Sequence, residues 1–360
     1  MKKSQFARTL IAMAAASFAI GAHAQSAVTI YGSLDDGVAH VSNVGGASLS
    51  SVNQGTMQPD VWGLRGSEDL GGGMKAGFKL ESGFFSNTGT STSSTRLFNR
   101  ESSLTLSGDF GAVKLGNMPD FVFDFVGPLS NGYLLTNWYL FNPGNFDNLA
   151  NTFEYQNAVR YTTPDLSGFT AGAMYSFGGV AGNTTANRDV GAGAKYVAGP
   201  LTVAFAYSNE NNRAAGFGGA YLSTLKLGNG GTVFNNLITY ALGASYTLGD
   251  VKLNAAYTQN KIELPTAVTV TQNNTQVGAS WHYTPANALN LGFTHSTFDG
   301  ADYNQFTVGN VYSFSKRTQV YVQTAYQKAG GSATEAFQNG AGASSTDNQW
   351  EASVGLHHSF

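Results

Sequence analysis

The chain has no cysteine. That excludes disulfides, thiol nucleophiles and thiolate metal sites together. Charge is scarce as well: Asp, Glu, Lys and Arg make up 11 % of the 360 residues. Beyond the first two dozen residues no continuous apolar run is long enough for a membrane helix. Yet 42 % of the residues are hydrophobic. Such a chain must place its apolar residues singly rather than in blocks. Between them stand Gly, with 45 residues, and abundant Asn, Ser, Thr and Gln. That mixture suits a sheet with one apolar and one polar face.

The N-terminus is the exception. Lys2, Lys3 and Arg8 precede the apolar stretch LIAMAAASFAIGAHA, which ends in Ala22-His23-Ala24. This reads as a secretory signal peptide over 1–24, cut between Ala24 and Gln25. A membrane anchor fits less well, because the apolar core is too short to span and a small-x-small site follows it. Without those residues 16 Lys and Arg face 22 Asp and Glu, a net charge of −6. That argues against a nucleic-acid partner. Export without disulfides fits a Gram-negative envelope protein.

The dominant pattern over 25–360 is alternation. TVAFAYS sets Val203, Phe205 and Tyr207 on one face, and VKLNAAYT does the same with Val251, Leu253, Ala255 and Tyr257. The opposite faces carry Gly, Ser, Thr, Asn, Gln and scattered Lys. Sixteen segments follow the rule, at about 27–41, 60–67, 74–83, 98–107, 110–117, 156–162, 169–177, 189–198, 201–208, 237–247, 251–260, 273–283, 288–297, 303–314, 317–328 and 348–360. Most have the roughly 9–11 residues a tilted strand needs to cross a bilayer. Short turns such as GDFG, AGP and LGD alternate with long polar links at 42–59, 84–97, 118–155, 178–188, 209–236, 261–272 and 329–347. A soluble sandwich has no reason to sort its loops this way. The pattern predicts one all-β domain, a 16-stranded antiparallel transmembrane β-barrel with its long loops outside. A barrel of that size cannot fill its interior with side chains, so the polar faces line water and the apolar faces meet lipid.

Several stretches carry a family resemblance: VTIYGSLDDGVAH, WGLRGSEDLGGGMKAGFKLESGF, LFNRESSLTLSG, GAVKLG, NAVRYTTPDLSGFTAGAMY, SKRTQVYVQTAYQ and the terminal VGLHHSF. Together they resemble the general porins of beta-proteobacteria, of the Neisseria, Bordetella and Burkholderia type. The resemblance implies a homotrimer among outer-membrane lipid and lipopolysaccharide. It implies passive diffusion of small hydrophilic solutes and ions, with the third external loop folded inward as a constriction. It also implies that the terminal aromatic strand, ending at Phe360, is a signal to the outer-membrane assembly machinery.

The third long link, 118–155, is unusually aromatic for an exposed loop. It could fold into the barrel or form a hydrophobic lid or subunit contact outside; the resemblance favours the inward fold. It carries Asp120, Asp124 and Asp147. Strand parity sends Arg65, Lys75, Lys79, Lys114 and Arg160 to the lumen. Acid facing base would set a transverse field that orients dipolar solutes. Simple solvation of a wet wall is the plainer reading of a charge; for Arg65 and Arg160 the family motifs they lie in put the pore role ahead, whereas for Lys75, Lys79 and Lys114 plain solvation serves at least as well. Arg100 falls on the parity of Leu104 and Leu106, the lipid side, whereas the family motif FNR implies a pore arginine. Asn117 stands where the family commonly has Arg. Asp36 points outward by parity, which the resemblance places at a trimer contact.

No catalytic residue emerges. His40, His282, His295, His357 and His358 are scattered, and the adjacent pair must point to opposite faces of a strand. No metal site, cofactor or enzymatic activity is expected. Two other functions remain in view: a substrate-specific channel for sugars or aromatic solutes, and a structural or adhesive barrel.

Overall fold

The structure is a computed structural model and describes residues 27–360. The expected cleavage site at Ala24 and Gln25 lies outside the described residues. The first strand runs from Ala27 to Val44 and the last from Asn348 to Ser359. Between them each strand pairs antiparallel with the next. The last pairs with both Thr318–Gly331 and Ala27–Val44, so the sheet closes on itself. With Ala47–Gln54 and Val61–Gly71 taken as one interrupted strand, the barrel has sixteen.

The alternation reports lipid. Val28, Ile30, Leu34 and Val38 are exposed on the first strand, as are Val203's neighbour Phe205, Leu253, Val277 and Trp281 further on. Their sequence neighbours on the inner face are buried: Asn254 and Thr258, Gln272, Asn274 and Gln276. Closure gives every backbone group in the hydrocarbon zone a partner, which an open edge could not. The tight link after Val61–Gly71 uses Gly71, Gly72 and Gly73 with φ of 80°, 60° and 80°, a left-handed run that side chains resist.

The outer ends of the strands differ from expectation. The link at 42–59 is not a long polar loop. The chain turns at Gly45-Gly46 and returns as Ala47–Gln54, hydrogen-bonded to the first strand from Asp36 to Val44. Leu201–Asn211, Val251–Glu263, Thr269–Thr284 and Thr318–Gly331 also run past their expected outer limits. Beyond the bilayer no apolar face is needed, so the alternation stops before the strand does.

The link 118–155 packs inside the barrel. It begins with one π-helical turn, Val122–Val126, continues as short 3-10 and α turns, and forms an apolar cluster with Met174, Ala204, Ala206 and Ala241 of the wall.

Candidate functional site

Two inner surfaces build the site. The first receives the segment 118–155. Phe121 and Phe125 lie against Gly172 and Gly193: a Cβ on Gly172 would meet the Phe121 ring at 2.4 Å, and one on Gly193 both rings at 2.9–3.1 Å. Glycine on those strands is therefore a trough cut for the loop. Further along, amides take over. Asn131 donates its backbone N–H to Gln276 at 2.8 Å, and Asn254 donates to the Leu129 carbonyl at 3.0 Å and Asn131 Oδ1 at 2.9 Å. Gln276 donates to Asn142 at 2.7 Å, Gln272 to the Pro143 carbonyl at 2.9 Å and Asn290 to the Leu135 carbonyl at 3.1 Å. Asn339 and Arg213, from the external connections, reach the Phe141 and Phe146 carbonyls at 2.7 and 2.9 Å. Buried backbone polar groups need such partners; the neutral amides supply them without burying charge, and the buried Arg213 guanidinium is itself paired with Glu210 at 3.1 Å.

The second surface is charged. Arg65 lies opposite Lys79, Lys79 opposite Ser103, and Lys114 opposite Thr105 and Arg160. Cross-strand partners share a face, so these cations form one inward band, as parity anticipates. The band carries its own acids. Glu101 bridges Lys79 at 3.0 Å and Lys114 at 2.9 Å, while Glu81 bridges Lys79 at 3.1 Å and Arg100 at 2.9 Å. Glu81 and Glu101 were missed as site residues, although the same alternation puts them two residues from Lys79 and Ser103. Arg65 and Lys75 are exposed and make no ion pair among the described residues. Arg65 stacks over the Tyr31 ring at 5.0 Å.

Arg100 corrects the parity argument. The strand begins at Glu101, so alternation does not extend to residue 100. Its N–H donates to the Glu81 carbonyl at 3.1 Å and its side chain turns to the Glu81 carboxylate. Asn117 donates to the Asn99 carbonyl beside it at 3.3 Å.

The loop acids do not form a row facing this band. Asp120 is fully buried and accepts the Phe123 N–H at 2.8 Å. Burial pushes its carboxyl up to about 7. Asp147 is buried at the amide wall, accepting from Thr258 at 2.7 Å and from Asn142. Both are docking groups, placed away from open water. Of these three, Asp124 reaches across to pair with Arg160, and Glu154 at the end of the segment pairs with Arg96 at 3.6 Å. Arg160 is 6 % exposed, lies over the Phe121 ring at 3.9 Å and donates to the Pro119 carbonyl at 3.2 Å, so it anchors the loop as well.

Beside the loop lies a cavity of about 520 Å³, lined by Arg96 and Arg100 of the wall and its connection and by Tyr133, Trp138, Phe141 and Glu154 of the loop segment. Burial raises the Glu154 carboxyl to about 7. Asp36 is half-buried on the outer face and accepts the Ser86 hydroxyl at 2.6 Å. Phe360 is exposed at the opposite end of the seam, where it exchanges backbone hydrogen bonds with Gly32 at 3.0 and 3.2 Å.

A closed barrel with a lipid-facing apolar skin, a polar interior and an internal loop defines a channel protein of the outer-membrane type. The chain belongs to the Gram-negative porin family, whose model matches residues 9–332. It is 31 % identical to outer membrane porin protein 32 of Delftia acidovorans, over the full length of both chains. It is 28 % identical to the major outer membrane protein P.IB of Neisseria meningitidis serogroup B, again over both full lengths. Among solved structures it is similar to an anion-selective porin from Comamonas acidovorans, with a TM-score of 0.74, 27 % identity, and 93 % of this chain and 100 % of that one covered. A trimer form of OmpT from Vibrio cholerae shares the fold, at a TM-score of 0.67 and 14 % identity, over 93 % of this chain and 99 % of that one. The protein is an outer-membrane channel for passive diffusion.

Proposed function

We propose that the channel passes small hydrophilic solutes and ions and that the segment 118–155 is its constriction. The observation that carries this reading is the docking of that segment on inward amides, opposite the band of Arg65, Lys75, Lys79, Arg100 and Lys114. Solutes then pass between the loop, with Asp124, and a band whose cations alternate with Glu81 and Glu101. Because those acids neutralise much of the band, ion preference rests on Arg65 and Lys75. A weak preference for anions is therefore expected. Chemistry on the solute has no part in this reading.

The working unit is a homotrimer in lipid and lipopolysaccharide, exported with residues 1–24 as a cleaved signal and inserted by the assembly machinery reading Phe360. Asp36 sits in a subunit contact, where replacement by Leu leaves trimer stability unchanged or higher. The deciding experiment is planar-bilayer conductance with reversal potentials in a salt gradient. Ohmic current in steps of three without solute block supports the general channel. Block by aromatic solutes would favour a specific channel instead, a reading supported by Tyr133, Trp138 and Phe141 around the cavity. Absence of current would defeat both.

A further inference from the structure

The interrupted second strand has an unequal ladder. Gln54 lies opposite Asp36, and Val61 lies opposite Ser33. Across that gap two residues of the first strand, Leu34 and Asp35, face six of the second, Gly55 to Asp60. Four residues more than the ladder can pair must leave the sheet. They leave inward. Met57 packs on Val311 and Tyr321, both on the inner face of their strands, and the Thr56 carbonyl accepts the Trp138 N–H of the internal loop at 2.7 Å.

The excursion is clasped. Asp35, wholly buried, accepts the N–H groups of Met57 and Gln58 at 2.8 and 2.7 Å on one oxygen and the Tyr321 hydroxyl at 2.8 Å on the other. Its own N–H donates to Asp60 at 2.7 Å, and its carbonyl accepts the Gly55 N–H at 2.8 Å. Ser33 donates to the Pro59 carbonyl at 2.7 Å. A mere irregularity would leave its freed backbone groups to water; here they are met by side chains at both ends. Met57, Gln58 and Pro59 line the same cavity as Arg100 and Trp138. Gln58 is half-buried, and its side-chain amide makes no hydrogen bond to the protein among the described residues.

We infer that Gly55–Asp60 is a second constricting element, built from the wall itself, and that Gln58 is its solute-facing, specificity-determining residue. The inference rests on the channel reading. The passage is then bounded by loop, charged band and this ledge, and the ledge contributes neutral amide where the band contributes charge. Side chains that line the narrow section set both its width and its ion preference.

Two sets of variants test this in bilayers. Gln58→Glu and Gln58→Lys change one half-buried side-chain amide and leave the clasp, which uses the Gln58 backbone N–H, intact. Their cation-to-anion permeability ratios are expected to move in opposite directions, each by about twofold. Excision of Thr56, Met57, Gln58 and Pro59 restores a two-against-two ladder and should raise single-channel conductance by about half. Protease protection of 118–155 is read alongside. Raised conductance with an unchanged digestion pattern supports the ledge; raised conductance with new cleavage in 118–155 counts against it, because loop release then explains the width. If wild-type current is normal and both Gln58 variants keep its permeability ratio, this inference is overturned and the channel reading stands. A wild-type chain without current overturns both.

Discussion

The strands at 61–118 and those at 251–313 belong to one barrel, yet their inner faces differ in kind. The first band carries Arg65, Lys79, Glu81, Glu101 and Lys114, with Lys79 and Lys114 partly open to solvent. The second carries Asn254, Thr258, Gln272, Asn274, Gln276, Asn290 and Gln305, nearly all out of water. The difference follows from what each face meets. A wall that stays wet can hold charge cheaply, because water and neighbouring counter-charges solvate it. A wall that a loop will cover cannot, since an ion buried there loses its hydration. Amides bond to loop carbonyls and N–H groups and lose little on burial. Asp147 is the one acid at the amide wall, and three donors surround it.

The contrast can be broken most severely at Asp147. Asp147→Ala removes the acceptor of the Thr258 hydroxyl and weakens the ties of the Asn142 and Asn274 amides, which keep Thr258 as a partner. A loss of about 2–4 kcal/mol in loop seating is expected, seen as cleavage within 118–155 and earlier heat dissociation on semi-native gels. Unchanged protection would mean that the amide wall does not hold the loop.

Arg160→Ala comes next. It removes a nearly buried guanidinium from Asp124, the Pro119 carbonyl and the Phe121 ring. Because Asp124 is partly open to water, about 1–3 kcal/mol is expected. A double-mutant cycle with Asp124→Asn should show coupling; simple additivity would assign Arg160 to the wet band alone.

A graded effect should accompany pH. The Asp120 carboxyl is raised by burial from 3.8 to about 7. The folded loop thus binds a proton that the released loop gives up, so seating weakens as pH rises from near 4 to 7 and then levels. Limited proteolysis should cut 118–155 faster at pH 8 than at pH 5. Asp120→Asn should reduce that difference, leaving the share of Glu154, also raised by burial to about 7; a pH dependence left wholly intact would acquit Asp120.

The smallest structural effect belongs to the charged band. Glu101→Gln leaves Lys79 and Lys114 without a shared anion. Glu101 is buried, but the two lysines it bridges are partly open to solvent, so stability should fall by about 1–2 kcal/mol, while reversal potentials move toward anion preference. A large fall in stability with no shift in selectivity would erase the distinction between the two walls.

How far these walls were legible in the sequence depends on what each residue faces. Lipid imposes a period of two, so Val28, Ile30, Leu34 and Val38 announce their strand, and sixteen segments could be counted. Residues 47–54, ASLSSVNQ, place one apolar residue, Val52 opposite Val38, on the outer face and so carry no such run, which is why their hairpin read as loop. Parity carried Arg65, Lys75, Lys79, Lys114 and Arg160 inward but stopped short of Arg100, which precedes its strand. Parity cannot tell a lumen-facing acid from a docked one. Asp120, Asp124 and Asp147 look alike in sequence; only the fold separates the bridging carboxylate from the two buried ones. The docking amides sat at inner parity positions throughout, but Asn and Gln are common on any wet wall and gave no sign that a loop would cover them.

The seam at Phe360 has a consequence in time. Ser33 to Val41 pair with residues 351–359 at the far end of the chain. Every other wall pairing joins strands adjacent in sequence and can form by local zipping. This one must bring together ends separated by nearly the whole polymer, at the greatest loop-closure entropy in the molecule. Until the last residues arrive, the first strand and the strand at 318–331, which the last strand joins, remain open edges able to pair with other chains. Gly32 leaves room for the arriving ring: a Cβ there would stand 2.4 Å from Phe360 Cζ. A side chain at residue 32 would therefore act on the order of events, prolonging the open-edged intermediate and raising the yield of aggregate over barrel.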